Sequence, residues 1–253
     1  MSVSTMPLAR VAVVTGAMGG LGTALCQKLA LSGMRVAATC SPDNDHVSQW
    51  LEQQRHNGFE FQAFCLDVAD ITSCETTVAQ IVDDMGAISV LINNAGITRD
   101  MSIRKMTWED WNAVLRTDLD SIFNMTKQVL DGMIEQGWGR IVNISSVNGQ
   151  KGAFGQSNYS AAKAGVHGFT KSVALEVARK GVTVNTVSPG YLRTPMVSKV
   201  PEDILNSKIL PEIPVGRLGE PDEVAALVAF LTSNDAAFIT GSNISINGGQ
   251  HMY

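Results

Sequence analysis

Tyr159 stands four residues before Lys163, and the pair Ser145 and Ser146 stands fourteen and thirteen residues before the tyrosine, in the stretch SSVNGQKGAFGQSNYSAAK. If tyrosine and lysine share a helix, the i,i+4 spacing puts phenol and ammonium on one face. A free phenol titrates near ~10, and a neighbouring cation favours the phenolate, so that protons can be exchanged closer to neutrality. Lowering that value by roughly 3 units takes about 4 kcal/mol of preferential phenolate stabilisation, more than one exposed ammonium delivers. A second positive contributor is therefore required. A serine hydroxyl beside the pair can hydrogen-bond a carbonyl oxygen while negative charge develops on it. Taken alone, a tyrosine and lysine so spaced on a helix are far more often a surface contact, and the surrounding elements have to decide.

Those elements read as alternating strands and helices. Short runs rich in β-branched residues, RVAVVT, MRVAAT, FEFQAFCLDV, ISVLINN, GRIVNIS, GVTVNTV and SNISING, are separated by helical patterns over 20–33, 46–57, 71–85, 107–136, 157–180 and 220–233. This is βαβ repetition around a mainly parallel sheet. Runs such as VAVV and ISVLI are almost wholly apolar, as expected of strands covered by helices on both faces. The proline-punctuated segment 188–221 has no clear period and reads as a lid.

The first strand runs into Gly16, Ala17, Met18, Gly19, Gly20, Leu21 and Gly22 and then a helix. Glycines there let backbone N–H groups approach a pyrophosphate, with the helix dipole adding favourable potential. The spacing differs from the familiar G-x-G-x-x-G, and a tight turn with close helix packing is the plainer alternative. Asn94, Ala95 and Gly96 end the fourth strand on the side where open α/β sheets bind ligands, or else form an ordinary turn. Asp67, with Val68 ending the third strand, is placed to accept from an adenine amino group; a capping role is the stronger reading of that residue alone.

Composition sets the bounds. The chain has 253 residues, 45% apolar and 17% charged, which is enough for one large α/β domain spanning 1–253. A formal charge of -5 without basic runs argues against nucleic acid as a partner. No signal-like or membrane-spanning run is present in the sequence, so a membrane partner is not expected. Cys26, Cys40, Cys65 and Cys74 form no C-x-x-C pair, which suits a reducing, cytoplasmic setting. The four histidines have no ligand spacing, so no metal is expected, and no G-x-S-x-G elbow supports a serine hydrolase.

TGAMGGLG, NNAG, the serine preceding YSAAK, and VSPGYLRTPM occur in that order, and from about residue 9 onward the chain resembles the short-chain dehydrogenase/reductase family. The resemblance implies a Rossmann-like, doubly wound parallel sheet of seven strands in the order 3-2-1-4-5-6-7, and usually a homotetramer. By the same resemblance Tyr159 is the general acid in reduction. Lys163 binds the nicotinamide ribose and lowers the Tyr159 pKa, the oxidised nicotinamide adding its own positive charge. Ser146 holds the substrate carbonyl, with Ser145 its structural neighbour. Pro189, Gly190, Leu192 and Thr194 meet the nicotinamide end. At the position where the family usually has an asparagine, in a locally distorted helix, this chain has Asp118. The expectation is that Asp118 weakens the proton relay without abolishing activity.

The stretch 139–170, VTVNTVSPGY and the closing NGGQHMY are similar to the bacterial acetoacetyl-CoA reductase branch of that family. That similarity implies an acyl-CoA substrate held around Phe154, Gln156 and Tyr191, although a glutamine common near the first of these is Ala153 here. Arg99, Arg104 and Lys105 are available to CoA phosphates, with scattered surface charge as the default. Near the end of the second strand Asp43 and Asp45 stand without Arg or Lys, which favours NADH. Family habit favours NADPH, for which Ser41 and main-chain donors are the candidate phosphate ligands. The alternatives are a 3-oxoacyl-ACP reductase, for which no basic patch is visible, and a catalytically silent dinucleotide-binding regulator, against which the intact Ser146, Tyr159 and Lys163 argue.

Overall fold

The computed structural model describes residues 9–195, 197 and 202–252. Its seven parallel strands are β1 (Val11–Val14), β2 (Arg35–Cys40), β3 (Gln62–Cys65), β4 (Ile88–Asn93), β5 (Gly139–Ile144), β6 (Val182–Pro189) and β7 (Asn243–Ile246). They lie in the order β3-β2-β1-β4-β5-β6-β7. The chain winds outward from β1 to β3, then returns to the other side of β1 with β4. That reversal opens a crevice between the carboxyl ends of β1 and β4.

The apolar strands follow from two covered faces. On one face Val13, Leu91, Ile141 and Val184 pack with Ile81 of α3 (Ile71–Met85), Met125 and Val129 of α5 (Ser121–Glu135), and Val173 of α7 (Ser157–Val177). On the other, Ala12, Val14, Ile92 and Val142 pack with Leu25 and Leu29 of α1 (Gly20–Leu31) and Val224 and Val228 of α9 (Pro221–Leu231). Alternate residues of one strand thus serve opposite faces, as the pleat requires. Burying one such Leu, Ile or Val contributes about 1.5–3 kcal/mol.

Two features depart from the sequence pattern. The expected helix over 107–136 is α4 (Trp108–Leu115), a π-helical turn (Arg116–Asp120) and α5 in continuous succession. Its apolar period survives the extra residue of the π turn, which is why the pattern reads as one helix. Inside 188–221, the expected lid, α8 (Glu202–Ile204) continues as a second π turn (Leu205–Ile209) and a 3-10 turn (Leu210–Glu212). The remainder of that expected lid at residues 196 and 198–201 lies outside the described residues, as do residues 1–8 and 253 of the expected domain. Two shorter helices, α2 (Val47–His56) and α6 (Val147–Lys151), complete the described elements used below.

Candidate active site

A cleft of about 870 Å³ runs along the carboxyl ends of the strands, from the glycine turn to the start of α7. The turn forms one end. Gly16 has φ +61, and a Cβ there would come within 3.0 Å of the Ala95 Cα, so only glycine suits both the conformation and the close approach. A Cβ on Gly22 would sit 2.2 Å from the Gly16 carbonyl oxygen. Gly19 is exposed, its nearest such contact being 3.6 Å away. The first turn of α1 carries no acidic side chain and no side-chain cap. Its backbone N–H groups and bare glycines therefore fit a dinucleotide pyrophosphate, on the chemistry of the donors as well as on space.

The turn is held by a clamp that sequence spacing does not reveal. Thr15 Oγ1 accepts from the backbone N–H groups of Asn94 (2.9 Å) and Ala95 (3.0 Å). The Asn94 amide donates to the carbonyls of Thr15 (2.9 Å) and Gly16 (3.1 Å). Asn94 lines the cleft, but its side chain is committed to shaping the glycine turn. Of the other residues expected to bind cofactor, Gly16, Met18, Gly19, Gly20, Leu21, Gly22, Ala95, Gly96, Tyr159, Lys163, Pro189, Gly190, Leu192 and Thr194 all line the cleft.

Ser41, Asp67 and Val68 do not. Ser41 Oγ accepts from the Asp43 N–H at 3.4 Å at the end of β2. Asp67 Oδ1 accepts from the Ala69 N–H at 2.9 Å, a local turn cap, while Asp70 is the N-cap of α3. Val68 is buried, its carbonyl accepting from the Asn124 amide at 3.0 Å. Asn44, which was not anticipated, lies 3.5 Å through its amide from the Met18 sulfur and closes the end of β2 onto the glycine turn.

The other end of the cleft is built on β5, α6 and α7. Ser146 is the N-cap of α6, its hydroxyl accepting from the Asn148 N–H at 3.1 Å, and it lines the cleft together with the Tyr159 phenol. Ser145 also lines the cleft, but its hydroxyl is committed to α7, donating to the Lys163 carbonyl at 2.8 Å. Lys163 is buried; its ammonium donates to the Ile144 carbonyl at 3.1 Å and lies 5.6 Å from the centre of the Tyr159 ring. Asp118, on the π turn, is fully buried with Oδ2 3.2 Å from Lys163 Nζ and Oδ1 accepting from the Ile97 N–H at 2.9 Å. The two charges are in contact without good hydrogen-bond alignment at Oδ2.

These neighbours set the protonation states. Burial works against the Lys163 ammonium, but Asp118 and Tyr159 outweigh it and raise the lysine pKa. Burial raises the Asp118 pKa against the pull of Lys163 and the Ile97 N–H. For Tyr159, burial is the largest cause and raises the pKa, with Asp118 and Asp100 adding to it; Lys163 and the Ser146 hydroxyl pull the other way and are outweighed. Lys163 thus contributes a downward pull, and burial with the two carboxylates sets the net direction for the protein chain by itself.

Of the residues expected to meet substrate, Gln156 and Tyr191 line the cleft and Phe154 does not, its side chain being 98% exposed. The ring sits in the turn between α6 and α7, flanked by Gly152 and Gly155 at positive φ, with nothing packed over it. Gln156 donates to Asp100 Oδ2 and accepts from the Asn148 amide, both at 2.9 Å, making a polar edge. Val197, Ile204 and Ile209 bring apolar side chains to the same cleft from the 188–221 segment.

A doubly wound sheet with an uncapped glycine turn at its switch point, and a serine, tyrosine and lysine at the far end of one cleft, defines a nicotinamide-dependent oxidoreductase. The chain belongs to the short-chain dehydrogenase family, whose model matches residues 10–205. It is 58% identical over 243 residues to an acetoacetyl-CoA reductase of Cupriavidus necator, covering 96% of this chain and 98% of that protein. It is 54% identical to nodulation protein G of Azospirillum brasilense, covering 95% and 97% of the two chains. An acetoacetyl-CoA reductase of Allochromatium vinosum is 48% identical, with 97% of this chain and all of that protein covered.

Proposed function

We propose that the protein is an acetoacetyl-CoA reductase that forms (R)-3-hydroxybutyryl-CoA for polyhydroxybutyrate synthesis. The observation that carries this reading is the convergence of Ser146, Tyr159 and Lys163 on one cleft with the glycine turn, in a chain whose relatives bear that name. The glycine turn, Tyr159 and Lys163 would hold a dinucleotide whose reduced nicotinamide would supply the hydride. Ser146 holds the carbonyl oxygen as it becomes an alkoxide, and Tyr159 Oη delivers the proton that makes it an alcohol. Lys163 sets the electrostatic field at the tyrosine and would hold a ribose hydroxyl of a bound dinucleotide. Gln156 and Tyr191 line the acyl site, and the apolar side chains of Val197, Ile204 and Ile209 cover the chain and exclude water.

NADH is the favoured donor. Around the end of β2, Ser41, Asp43 and Asp45 offer acceptors and no cationic Lys or Arg for a 2'-phosphate. The protein works in the cytoplasm as a homotetramer, in which exposed Phe123 of α5 and Leu175 of α7 are candidates for burial against a second copy.

Loss of reduced-nicotinamide absorbance with acetoacetyl-CoA, run in parallel with NADH and NADPH, tests the reading. Turnover faster with NADH is expected. Turnover only of the acyl-carrier-protein thioester would move the assignment to fatty-acid synthesis, and no turnover of either would leave a dinucleotide-binding scaffold.

A further inference from the structure

Behind the reaction end of the cleft lies a carboxylate for which carbonyl reduction has no direct use. Asp118 is fully buried, 3.2 Å from the ammonium of Lys163, and fixed by the Ile97 N–H. The chain makes room for it: a Cβ on Gly96 would come within 2.7 Å of Asp118 Oδ2 and 3.3 Å of Lys163 Nζ. We infer that Asp118 is a positioning residue that balances the charge of Lys163 and thereby keeps Tyr159 in its phenol form, ready to donate a proton up to a higher pH.

Charge counting within the buried cluster gives the reason. With Asp118 ionised and Lys163 protonated, the cluster is neutral while Tyr159 is a phenol and carries one negative charge once it is a phenolate. With a neutral residue at 118, the phenol state carries one positive charge and the phenolate state none. A buried site disfavours net charge, so the carboxylate selects the phenol and an amide would select the phenolate. The groups facing Tyr159 agree with this count: Asp118 and Asp100 oppose its ionisation, and Lys163 and the Ser146 hydroxyl favour it. Lys163 faces Asp118, Tyr159 and the Ile144 carbonyl. His167, one turn further along α7, meets the hydroxyls of Ser145 (3.0 Å) and Ser188 (3.4 Å), and Lys171 is the charge that acts on it. In reduction the proton leaves Tyr159 Oη for the alkoxide, and the transient phenolate recovers a proton from solvent. In oxidation the phenolate must exist beforehand, and Asp118 makes it scarce.

The inference rests on Tyr159 being the proton donor of the proposed reaction, but its first test needs no substrate. Tyrosinate absorbance is titrated in the wild type and in Asp118→Asn, each with a Tyr159→Phe counterpart that isolates Tyr159 from the other two tyrosines. Asp118→Asn is expected to ionise Tyr159 about one pH unit lower or more, a tenfold gain in phenolate at a given pH. Asp118→Glu, which retains the charge, serves if the amide variant does not fold; it should titrate as the wild type does, and a downward shift of a unit would sink the inference. With acetoacetyl-CoA, the alkaline limb of reduction and the acid limb of the reverse oxidation should both move down with the titration. Identical titration in wild type and Asp118→Asn, or a fall in both directions with unmoved limbs, overturns the charge-balancing role. Absence of turnover with a shifted titration overturns the proposed substrate instead.

Discussion

The two ends of the cleft are built by different physics. At the glycine turn nothing titrates: Thr15, Asn94 and the backbone hold the shape through neutral hydrogen bonds, and glycines stand where a Cβ would strike backbone 2.2–3.0 Å away. At the α7 end the shape depends on charge, with Lys163 and Asp118 buried against a half-buried Tyr159. One end fails when volume is added, the other when charge is removed. A dinucleotide explains the division: its pyrophosphate needs fixed donors at close range, whereas its reacting end needs a proton whose affinity can be tuned.

Tyr159→Phe should produce the largest effect. It removes only a hydroxyl, so kcat is expected to fall by about 10²–10⁴ while cofactor binding and melting temperature stay close to wild type; a small loss of kcat would mean that the charged end does not supply the proton. Lys163→Met should act on stability as well, because Asp118 is left as an unpaired buried charge at an expected cost of about 3–5 kcal/mol near neutral pH. The sign with pH follows from the pull that is lost: Lys163 lowers the already raised Asp118 pKa, so without it the folded variant takes up the proton more readily than wild type and should gain on it as the pH falls toward the ordinary carboxylate range, as urea unfolding at pH 8 and pH 5 would reveal.

Asn94→Ala tests the neutral clamp. It removes two side-chain donors from partly buried carbonyls, for an expected loss of about 1–3 kcal/mol that does not vary with pH. A pH-dependent loss there would blur the distinction between the two ends. Gly19→Ala should have the smallest effect on the fold, since its Cβ would have 3.6 Å of clearance, yet it points a methyl group into the cleft and should weaken dinucleotide binding in a fluorescence titration. Unchanged binding would remove Gly19 from the pyrophosphate site.

Much of the frame was legible because it is local. Every expected strand overlaps one of the seven observed, with β2 and β6 running one and two residues past their expected ends, since a run of apolar residues and its bounding turns are properties of neighbours along the chain. The glycine turn and the pairing of Tyr159 with Lys163 on α7 were legible for the same reason. Short or irregular pieces were not: α6 has five residues, too few to show a period, and the π turn hides within an unbroken helical pattern.

The sequence by itself therefore determined the order of the elements, the apolar faces and the list of groups able to do chemistry. Tertiary structure decided what those groups face. It joined Thr15 to Asn94, turned Asp67 and Ser41 to local turns, left the Phe154 ring in solvent, and set Asp118 against Lys163. The reason is physical: burial and electrostatic neighbourhood are sums over residues remote in the chain, so the protonation of Tyr159 exists as a property only after β4, β5, the π turn and α7 have come together.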